Sequence, residues 1–407
     1  MAMQQTRIDT VVIGAGQAGL TMSHHLSSRN VPHVVLERAR VGERWRTERW
    51  DSLRFQFPNK YVRLPGFDYD GDDPSGFMDS SGVVSVLERY ANHIAAPVRS
   101  GVNVRSVDRA TDGKFLVACD HFELLANNVV LATGPYQRPI VPDVSTQLPT
   151  GMTQLTASSF TNAGALPDGA VLVVGSGGSG VQIAEDLIAA GREVYLSVGH
   201  HRRVPRRYRG RDVTDWFEEL GLLAAPVERA MIDHAPLLTG VDGGYDVDLR
   251  SLAKRGGRLL GRLEAVRDGQ LVLGDGLLAD IANADESFQR TIGGIEARLV
   301  ELGLDKTAPP PDPLPDPGPL PPPSPPTVGI ESAGISSVIW ATGYGLDFSW
   351  VHCGQFDDDG TPSHERGVSP VPGLYFLGLS FLLNARSSVF WGVGDDAQYL
   401  AEHLVAR

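Results

Sequence analysis

The stretch "VLVVGSGGSG" at residues 171–180 is a run of apolar residues that ends in a cluster of glycines. The same pattern occurs earlier in the chain, as "VVIGAGQAGL" at residues 11–20. Each stretch is typical of a short buried strand followed by a G-x-G-x-x-G turn and a helix. The two turns consist of Gly14, Gly16 and Gly19, and of Gly175, Gly177 and Gly180. The sequence therefore predicts an α/β fold with two Rossmann-like dinucleotide-binding domains.

The glycine spacing of such a turn has a physical reason. The first glycine permits the tight turn, the second lets the backbone approach a pyrophosphate, and the third lets the helix pack against the strand. The phosphates then lie at the positive N-terminal end of the helix. A single turn of this kind is also compatible with a purely structural connection, but two copies in the same context favour two nucleotide sites.

Composition excludes several classes of partner. The 407 residues include 36 Lys and Arg against 49 Asp and Glu, a net charge of −13, which disfavours binding to nucleic acid or to an anionic membrane. No run of 18 apolar residues is present, and a strand begins by Thr10 without a preceding apolar signal segment. We therefore expect a cytoplasmic protein whose partners are a small-molecule substrate and oxygen.

The two cysteines, Cys119 and Cys353, lie far apart in the sequence and outside any C-x-x-C motif. This spacing argues against a disulfide reductase, which needs a redox-active cysteine pair beside its flavin. We expect both cysteines to act as small buried apolar residues. No metal site is expected.

The strands that follow the two turns predict different ligands. The strand "HVVLE" ends at Glu37, next to Arg38, where a carboxylate accepts hydrogen bonds from a ribose diol. The comparable strand "EVYLS" ends at Ser197, without an acid, and six arginines follow within residues 202–211. A hydroxyl and the guanidinium groups of Arg202 and Arg203 would suit the 2′-phosphate of NADPH. For most of these arginines a solvated basic loop is the simpler interpretation, and a nucleic-acid patch is disfavoured by the acidic remainder of the chain.

Two Ala-Thr-Gly motifs predict where the chain returns to the nucleotide sites. They supply Thr133 and Gly134 in "VVLATG", and Thr342 and Gly343 in "VIWATGY". Such returns are expected when one domain is inserted into another. The predicted organisation is a first part of an FAD-binding domain at 1–145, an NADPH-binding domain at 151–275, an excursion at 276–326 and the return of the FAD-binding domain at 327–407.

The excursion combines a predicted helix with a proline-rich segment. Apolar residues at seven-residue spacing predict an amphipathic helix over 278–304, which Gly293 and Gly294 would weaken or bend. Packing against the chain's own core is the simplest use of this helix; a lid or the seam of a homodimer are the alternatives. Residues 308–326 contain 12 prolines in 19 positions, which predicts an extended polyproline spacer. A partner with an aromatic groove is the alternative to a stiff linker.

The order of short motifs indicates a family. The segments are "GERW", "WDSLRFQFP", "LATGPYQRPIVP", "VLVVGSGGSG", "ATGY" and "PGLYFLG". In this order the chain resembles the flavin-dependent monooxygenases that use FAD and NADPH, the group of the flavin-containing monooxygenases, the plant auxin-forming flavin enzymes and the Baeyer–Villiger monooxygenases. The motifs are specific for this superfamily and not for a substrate.

The resemblance implies a mechanism and several site residues. NADPH would reduce FAD, oxygen would add to flavin C4a as a (hydro)peroxide, and a substrate would take the distal oxygen in a dry pocket. Gly42 and Trp45 match the family segment that passes along the flavin. Asn59 falls where relatives place an amide near the C4a edge, although a turn residue after Pro58 is equally compatible with this position.

The C-terminal region is expected to close the flavin site. Asp395 precedes the last predicted helix, where two-nucleotide flavoproteins commonly contact the ribityl chain; a helix N-cap is the compatible alternative. Arg386, Ser387 and Ser388 lie just upstream, and we expect them to face the flavin or the substrate. The segment "TGMTQLTASSF" departs from the family because Thr156 stands where a histidine is usual, which makes Baeyer–Villiger chemistry less expected.

These observations together predict an NADPH-dependent FAD monooxygenase that inserts one oxygen atom into a small organic molecule. A flavin reductase or dehydrogenase that does not insert oxygen is the first alternative. A non-catalytic redox-sensing flavoprotein is the second.

Overall fold

A computed structural model describes residues 5–224, 235–313 and 315–407. Residues up to 131 form most of the first sheet and its helices. These elements are β1 (Gln5–Ile13), α1 (Gln17–Ser28), β2 (His33–Glu37), α2 (Glu43–Thr47), α3 (Ser80–His93), β3 (Val98–Ser100), β4 (Val104–Arg109), β5 (Phe115–Cys119) and β6 (Glu123–Leu131). The sheet runs in the order β3-β2-β1-β6-β5-β4, and β1 lies parallel to both β2 and β6. Its central strands are apolar and buried because helices cover the sheet.

The next part of the chain builds a second unit around another glycine turn. Its elements are β7 (Arg138–Pro139), β8 (Thr153–Thr156), β9 (Ala170–Val174), α4 (Gly178–Ala189), β10 (Val194–Ser197), β11 (Arg202–Arg203), β12 (Arg207–Tyr208), β13 (Arg211–Asp212), α5 (Val213–Glu219), β14 (Pro236–Leu237), α6 (Leu249–Lys254) and β15 (Arg258–Leu260). Strands β9 and β10 are parallel and flank α4, which is the strand-turn-helix arrangement that the sequence predicts.

The excursion and the second Ala-Thr-Gly motif complete this second unit. Their elements are β16 (Leu263–Arg267), β17 (Gln270–Leu273), α7 (Leu277–Glu301), β18 (Thr327–Gly329), β19 (Ile335–Trp340) and β20 (Tyr344–Gly345). Over the described residues, the second sheet has five parallel strands in the order β15-β10-β9-β19-β8. Strand β19 thus belongs to the second sheet, which differs from the predicted assignment of 327–407 to the return of the first domain. The motif alone did not indicate which sheet the chain rejoins.

The predicted amphipathic helix is α7, and it packs against the chain's own core. Ile281 joins the core of the second sheet, while Phe288, Ile295 and Leu299 join a cluster with residues of β12 and α5. The helix runs through Gly293 and Gly294 and ends at Glu301, so Leu302, which the sequence places on the apolar stripe, lies outside it and is 44% exposed.

The last part of the chain returns to the first sheet. Strand β21 (Leu374–Phe376) pairs in parallel with β6, and α8 (Val393–Ala406) packs against α1. With β21 included, the first sheet has seven strands in the described part of the chain. One unit is therefore inserted into the other, which confirms the predicted fold class.

The described residues of the proline-rich segment 308–326 lack regular secondary structure and are largely exposed. Both ends are tied to the second unit. Arg209 donates to the carbonyl oxygen of Pro309. At the other end the backbone N–H of Gly261 donates to Ser324 Oγ over 2.8 Å, and that of Leu273 donates to the carbonyl oxygen of Pro326 over 2.9 Å. The segment is thus a strut with two fixed ends.

The cysteines lie where the sequence indicates. Cys119 is buried in the core of the first sheet, and burial raises the pKa of its thiol to about 11. Cys353 is half-buried, and both thiols are free. Considering the described residues only, no helix has the length and apolar character that crossing a bilayer requires.

Candidate nucleotide-binding and active site

The first glycine turn, Gly14–Gly19, is shaped by close backbone contacts. Gly14 has φ of +107°, and a Cβ atom there would lie 2.6 Å from the carbonyl oxygen of Ala132. A Cβ atom at Gly19 would lie 1.8 Å from the carbonyl oxygen of Gly14. Beside Gly16, in contrast, the space within 4 Å of such an atom holds no described residue other than its chain neighbours. The turn therefore leaves its middle glycine open to a ligand at the N-terminus of α1.

The second glycine turn, Gly175–Gly180, repeats this geometry. Gly175 has φ of +109°, and a Cβ atom there would lie 2.4 Å from the carbonyl oxygen of Ala341. The corresponding distance from Gly180 to the carbonyl oxygen of Gly175 is 1.9 Å, and Gly177 is as open as Gly16. Because Ala132 and Ala341 begin the Ala-Thr-Gly motifs, each motif closes the glycine turn of its own sheet.

A first cavity of about 390 Å³ opens beside the first glycine turn. It brings together residues that the sequence singled out from five separate segments. They are Gly14, Gly16, Glu37, Arg38, Gly42, Trp45, Thr133, Gly134 and Ser388. Gly19 lies behind the turn, where it permits close packing of α1. The cavity thus combines an open glycine turn with a carboxylate at the end of the next strand, which are groups that suit a dinucleotide.

Glu37 lies at the end of β2 with its carboxylate at the glycine turn. One carboxylate oxygen accepts from the backbone N–H of Ala15 over 2.8 Å, and the other accepts from that of Ala39 over 3.0 Å. These bonds fix the orientation of the carboxylate. An ionised carboxylate has about four acceptor sites, so two remain for the hydroxyls of a ribose.

A second cavity of about 370 Å³ opens beside the second glycine turn. Gly177 and Gly343 line it, together with eight aromatic residues of the described part of the chain. The aromatic residues are Trp45, Trp50, Phe55, Phe57, Tyr136, Trp340, Tyr344 and Phe390. Thr342 does not line the second cavity. Its hydroxyl donates instead to the carbonyl oxygen of Ile140 over 2.5 Å.

The two cavities meet. Gln17, Trp45, Arg49, Tyr136 and Ser388 line both of them. The Gln17 side chain donates to the carbonyl oxygen of Ser388 over 3.2 Å, which ties the start of α1 to the C-terminal segment. Ligands held at the two glycine turns can therefore reach each other at this junction.

Arg49 is the charged side chain at the junction. Its guanidinium lies 5.0 Å from the centre of the Trp45 ring, and one N–H donates to the carbonyl oxygen of Glu48 over 2.7 Å. Burial lowers the pKa of Arg49 from its ordinary value. Arg49 was not predicted from the sequence as a site residue, although it lies only four positions after Trp45 in the segment that resembles the family.

Ser197 lies outside both cavities. It is 2% exposed, its hydroxyl donates to the carbonyl oxygen of Gly261 over 3.2 Å, and it accepts from the backbone N–H of Leu263 over 2.9 Å. The hydroxyl thus joins the end of β10 to the backbone after β15. This geometry does not support the predicted contact between Ser197 and a 2′-phosphate.

The arginines that follow β10 are held mainly by the protein itself. Arg203 is 6% exposed, donates to the carbonyl oxygen of Val247 over 3.0 Å and pairs with Asp285 over 2.5 Å and with Asp248 over 3.2 Å. Arg206 pairs with Asp212, and Arg209 pairs with Glu296. Arg202 is half-buried in β11. For Arg203 the phosphate-binding prediction is therefore unsupported, and so is the alternative of a solvated basic loop.

Asn59 lies outside both cavities as well. Its side-chain NH₂ donates to the carbonyl oxygen of Asp73 over 2.9 Å, and its side-chain oxygen accepts from the backbone N–H of Met78 over 2.7 Å. Both ends of the amide are thus used to hold the loop over residues 73–78. The predicted position near the flavin edge is not what the structure shows; the alternative of a structural residue after Pro58 fits.

The C-terminal residues divide between the cavity and its support. Ser388 lines both cavities, so its predicted position facing the flavin or the substrate stays a prediction that this geometry permits. Arg386 instead pairs with Glu218 over 3.0 Å and with Asp395 over 3.2 Å. Asp395 is exposed and lines neither cavity; its neighbour Asp396 is 2% exposed, and burial raises the pKa of Asp396 to about 6. Arg386 and Asp395 are therefore placed as supports of the cavity wall, which differs from the prediction.

Thr156 ends β8 beside the second cavity. Its hydroxyl lies 3.0 Å from Ser158 Oγ and 3.2 Å from Ser159 Oγ, within a local turn. The following residue, Ala157, lines the cavity. The position where the family has a histidine is thus occupied here by a residue that stabilises its own loop.

Comparison with known proteins agrees with this geometry. Residues 11–216 match the family described as pyridine nucleotide-disulphide oxidoreductase. Over 401 residues the chain is 31% identical to the uncharacterized oxidoreductase CzcO-like of Geobacillus kaustophilus, with 98% of both chains covered. Over 192 residues it is 31% identical to the probable indole-3-pyruvate monooxygenase YUCCA1 of Arabidopsis thaliana, with 46% of both chains covered.

Among solved structures, the flavin-containing monooxygenase from Stenotrophomonas maltophilia is similar over 98% of both chains, with a TM-score of 0.69 and 18% identity. This similarity confirms the fold of two dinucleotide-binding domains. Flavin and pyridine nucleotide use accord with the family description and with these neighbours. The chain belongs to the pyridine nucleotide-disulphide oxidoreductase family and, by its identity over nearly the whole length, to the same group as the CzcO-like oxidoreductase.

Proposed function

We propose that this protein is a cytoplasmic FAD-containing monooxygenase that uses NADPH to insert one oxygen atom of O₂ into a small organic substrate. In the balanced reaction, substrate, O₂, NADPH and a proton give oxygenated substrate, NADP⁺ and water. The coenzyme supplies the two electrons that reduce the second oxygen atom to water.

The observation that carries the proposal is the junction between the two cavities. Each cavity begins at an open glycine, Gly16 or Gly177, and both end at the same wall of Trp45, Tyr136 and Ser388. A nicotinamide in one cavity and a flavin ring in the other would meet there. With both ligands bound, the aromatic side chains of this wall would limit access of water, which favours transfer of oxygen to a substrate over loss as hydrogen peroxide.

The residues of this chain would bind, orient and shield the reactants. The N-termini of α1 and α4 would hold the two pyrophosphates through backbone N–H groups, and Glu37 would bind the ribose of the flavin nucleotide. Bound flavin supplies the redox chemistry, because it accepts a hydride from the coenzyme and reacts with O₂. The side chains at the junction would keep the reacting groups aligned and dry.

The choice of NADPH over NADH rests on the end of β10. Ser197 stands where a carboxylate would repel a 2′-phosphate, and Arg202 follows in β11. Because Ser197 and Arg203 are engaged within the protein, the preference would come from the missing acid and not from those two side chains. Comparison of kcat/KM for NADPH and NADH by the unmodified protein tests this point.

The function can be tested with the purified holoenzyme. Denaturation should release FAD and not FMN. With NADPH, ¹⁸O₂ and a panel of sulfides, ketones, amines and indolic acids, a substrate should gain one ¹⁸O atom for each NADPH oxidised, measured by mass spectrometry.

Two other outcomes of the same experiment would support one of the two alternative functions instead. Rapid NADPH oxidation that requires an added electron acceptor, without any ¹⁸O in the product, would identify a reductase or dehydrogenase. Flavin that NADPH reduces only negligibly under all of these conditions would point to a redox-sensing role.

A further inference from the structure

We propose that Arg49 binds a carboxylate group of the substrate, so that the enzyme acts on small, flat, apolar acids. The proposal deepens the proposed function, on which it rests, because it names the substrate class of the same site. It concerns the second cavity at its junction with the first.

The geometry of Arg49 leaves it available to a ligand. Its flat guanidinium lies 5.0 Å from the ring centre of Trp45, which orients the plane of the group. One N–H is used by the carbonyl oxygen of Glu48. Over the described ranges no carboxylate lies within 4.0 Å of Arg49, and its remaining N–H groups have no other hydrogen-bond partner there. The side chain thus presents donors at the junction, while the carboxylate of the neighbouring Glu48, which acts on Arg49 electrostatically, pairs with Arg44 over 3.3 Å.

The other charged side chain that lines the second cavity, Arg54, already has a carboxylate partner. Its guanidinium lies 3.6 Å from a carboxylate oxygen of Asp79 and is half-exposed. The lining contains neither aspartate nor glutamate, as far as the structure describes the chain. A protonated amine would therefore find no counter-charge in this wall, whereas an anion would find Arg49.

The walls on either side of Arg49 fit a flat apolar body. The ring centres of Trp45 and Phe55 are 6.0 Å apart, and those of Phe55 and Phe390 are 5.6 Å apart. The ring centres of Tyr136 and Tyr344 are 5.3 Å apart. All three pairs meet edge to face, so ring faces remain for a further aromatic group. A molecule with one ring and one carboxylate matches both the apolar walls and the single unpaired cation.

The phosphates of the two nucleotides have other binding positions. The open glycines and the N-termini of α1 and α4 serve both pyrophosphates. Arg49 lies in neither glycine turn but at the junction, where the reacting groups meet. A guanidinium at this point is suited to orient the substrate and not the distant phosphates.

Three sulfides with the same reacting sulfur atom test the proposal. They are (phenylthio)acetate, (phenylthio)acetamide and 2-(phenylthio)ethylamine, which differ mainly in charge. Oxygenation forms an S–O bond with one atom of O₂, and the other atom leaves as water with the electrons of NADPH. We expect KM for the acid to be at least about tenfold below that for the amide, with the amine highest, because a charge-assisted bond contributes about 1.5–3 kcal/mol, a factor of about ten to one hundred.

Variants of Arg49 separate charge from geometry. Arg49→Gln should raise KM for the acid about tenfold to a hundredfold and leave KM for the amide within about threefold. Arg49→Lys keeps the charge but loses the planar fork, so its KM for the acid should lie between these values. Arg46→Gln is the matched control, because Arg46 lies in helix α2, three positions before Arg49, pairs with Glu88 and lines neither cavity.

A binding measurement makes the test independent of turnover. Titration of the oxidised holoenzyme with (phenylthio)acetate, without coenzyme, should perturb the visible flavin spectrum, and Arg49→Gln should weaken this binding by the same factor. If the acid binds in this way but no sulfide is oxygenated, the inference holds and the proposed function fails.

The opposite results overturn the inference. Oxygenation of all three sulfides with equal KM values would leave the proposed function intact but remove the role of Arg49. An Arg49→Gln variant that raises KM for NADPH and not for the acid would assign the guanidinium to the coenzyme. Failure of the acid to bind in either assay would also contradict the proposal.

Discussion

The two glycine turns have nearly the same backbone but different surroundings. Gly14 and Gly175 have φ of +107° and +109°, and both lie against the carbonyl oxygen of an alanine that begins an Ala-Thr-Gly motif. After the first turn, Glu37 points its carboxylate into a cavity; after the second, Ser197 is buried and bonded to backbone. Under the proposed function, each turn would bind a pyrophosphate in the same way, and the strand that follows it would decide which nucleotide suits the site.

The largest effect on nucleotide binding is expected for Gly16→Val. Gly16 has φ of −88°, which valine tolerates, and the space beside it is open, so the side chain would occupy the place of the pyrophosphate without disturbing the fold. The purified variant should be colourless. The ratio of visible flavin absorbance to protein, with circular dichroism as a folding control, measures this effect; stoichiometric flavin in the variant would contradict the assignment of the first turn.

The matched change in the second turn, Gly177→Val, is expected to separate the two sites. Its φ of −70° also permits valine. The variant should keep its flavin and lose about a hundredfold in affinity for the coenzyme, because bonds from backbone N–H groups to a charged phosphate contribute about 1.5–3 kcal/mol. Anaerobic stopped-flow reduction over a range of NADPH concentrations measures this change. Loss of flavin instead would mean that the two turns do not act separately.

A smaller effect is expected for Glu37→Gln. The amide keeps the size of the side chain but replaces one acceptor oxygen by a donor NH₂ group, which conflicts with the N–H groups of Ala15 and Ala39. We expect flavin affinity to fall about tenfold, measured by titration of the apoprotein with FAD. Glu88→Gln, at the pair with Arg46, serves as a control, because Glu88 is half-exposed and lines neither cavity; it should change affinity by less than about twofold.

The smallest effect on nucleotide binding is expected for Arg203→Gln. Because Arg203 is buried and pairs with Asp248 and Asp285, its loss should leave the preference between NADPH and NADH within about threefold of the unmodified value. Stability should fall by about 1.5–3 kcal/mol, since two partly buried carboxylates lose one arginine partner but keep Arg250. Coenzyme kinetics and urea unfolding measure the two quantities. A collapse of the preference without loss of stability would restore the phosphate role.

The features that the sequence predicts well are local in the chain. Each glycine turn with its strand and helix spans only about ten to thirty residues, and the steric reason for each glycine acts within that span. The Ala-Thr-Gly motifs were recognisable for the same reason. Their assignment to a sheet was not, because β19 pairs with β8 and β9, which lie far away in sequence.

The side-chain roles that failed depend on distant partners. Arg203 meets Asp285, which is 82 positions away, and Arg386 meets Glu218, which is 168 positions away. A sequence shows that an arginine or an amide is present but not which carboxylate or carbonyl the fold brings to it. Asn59, Ser197 and Arg203 were therefore interpreted as free to bind ligands, whereas the folded chain uses their polar groups internally.

The proline-rich strut has a consequence for how this chain can change over evolutionary time. Polyproline has no internal hydrogen bonds, and most of its side chains here face solvent, so single substitutions within it remove few contacts. Its ends, however, are held at Pro309 and at Ser324 with Pro326, and an extended chain rises only about 3.1 Å per residue. Selection should therefore preserve the length of this segment more strictly than its sequence, so that homologues drift in composition here while deletions are purged.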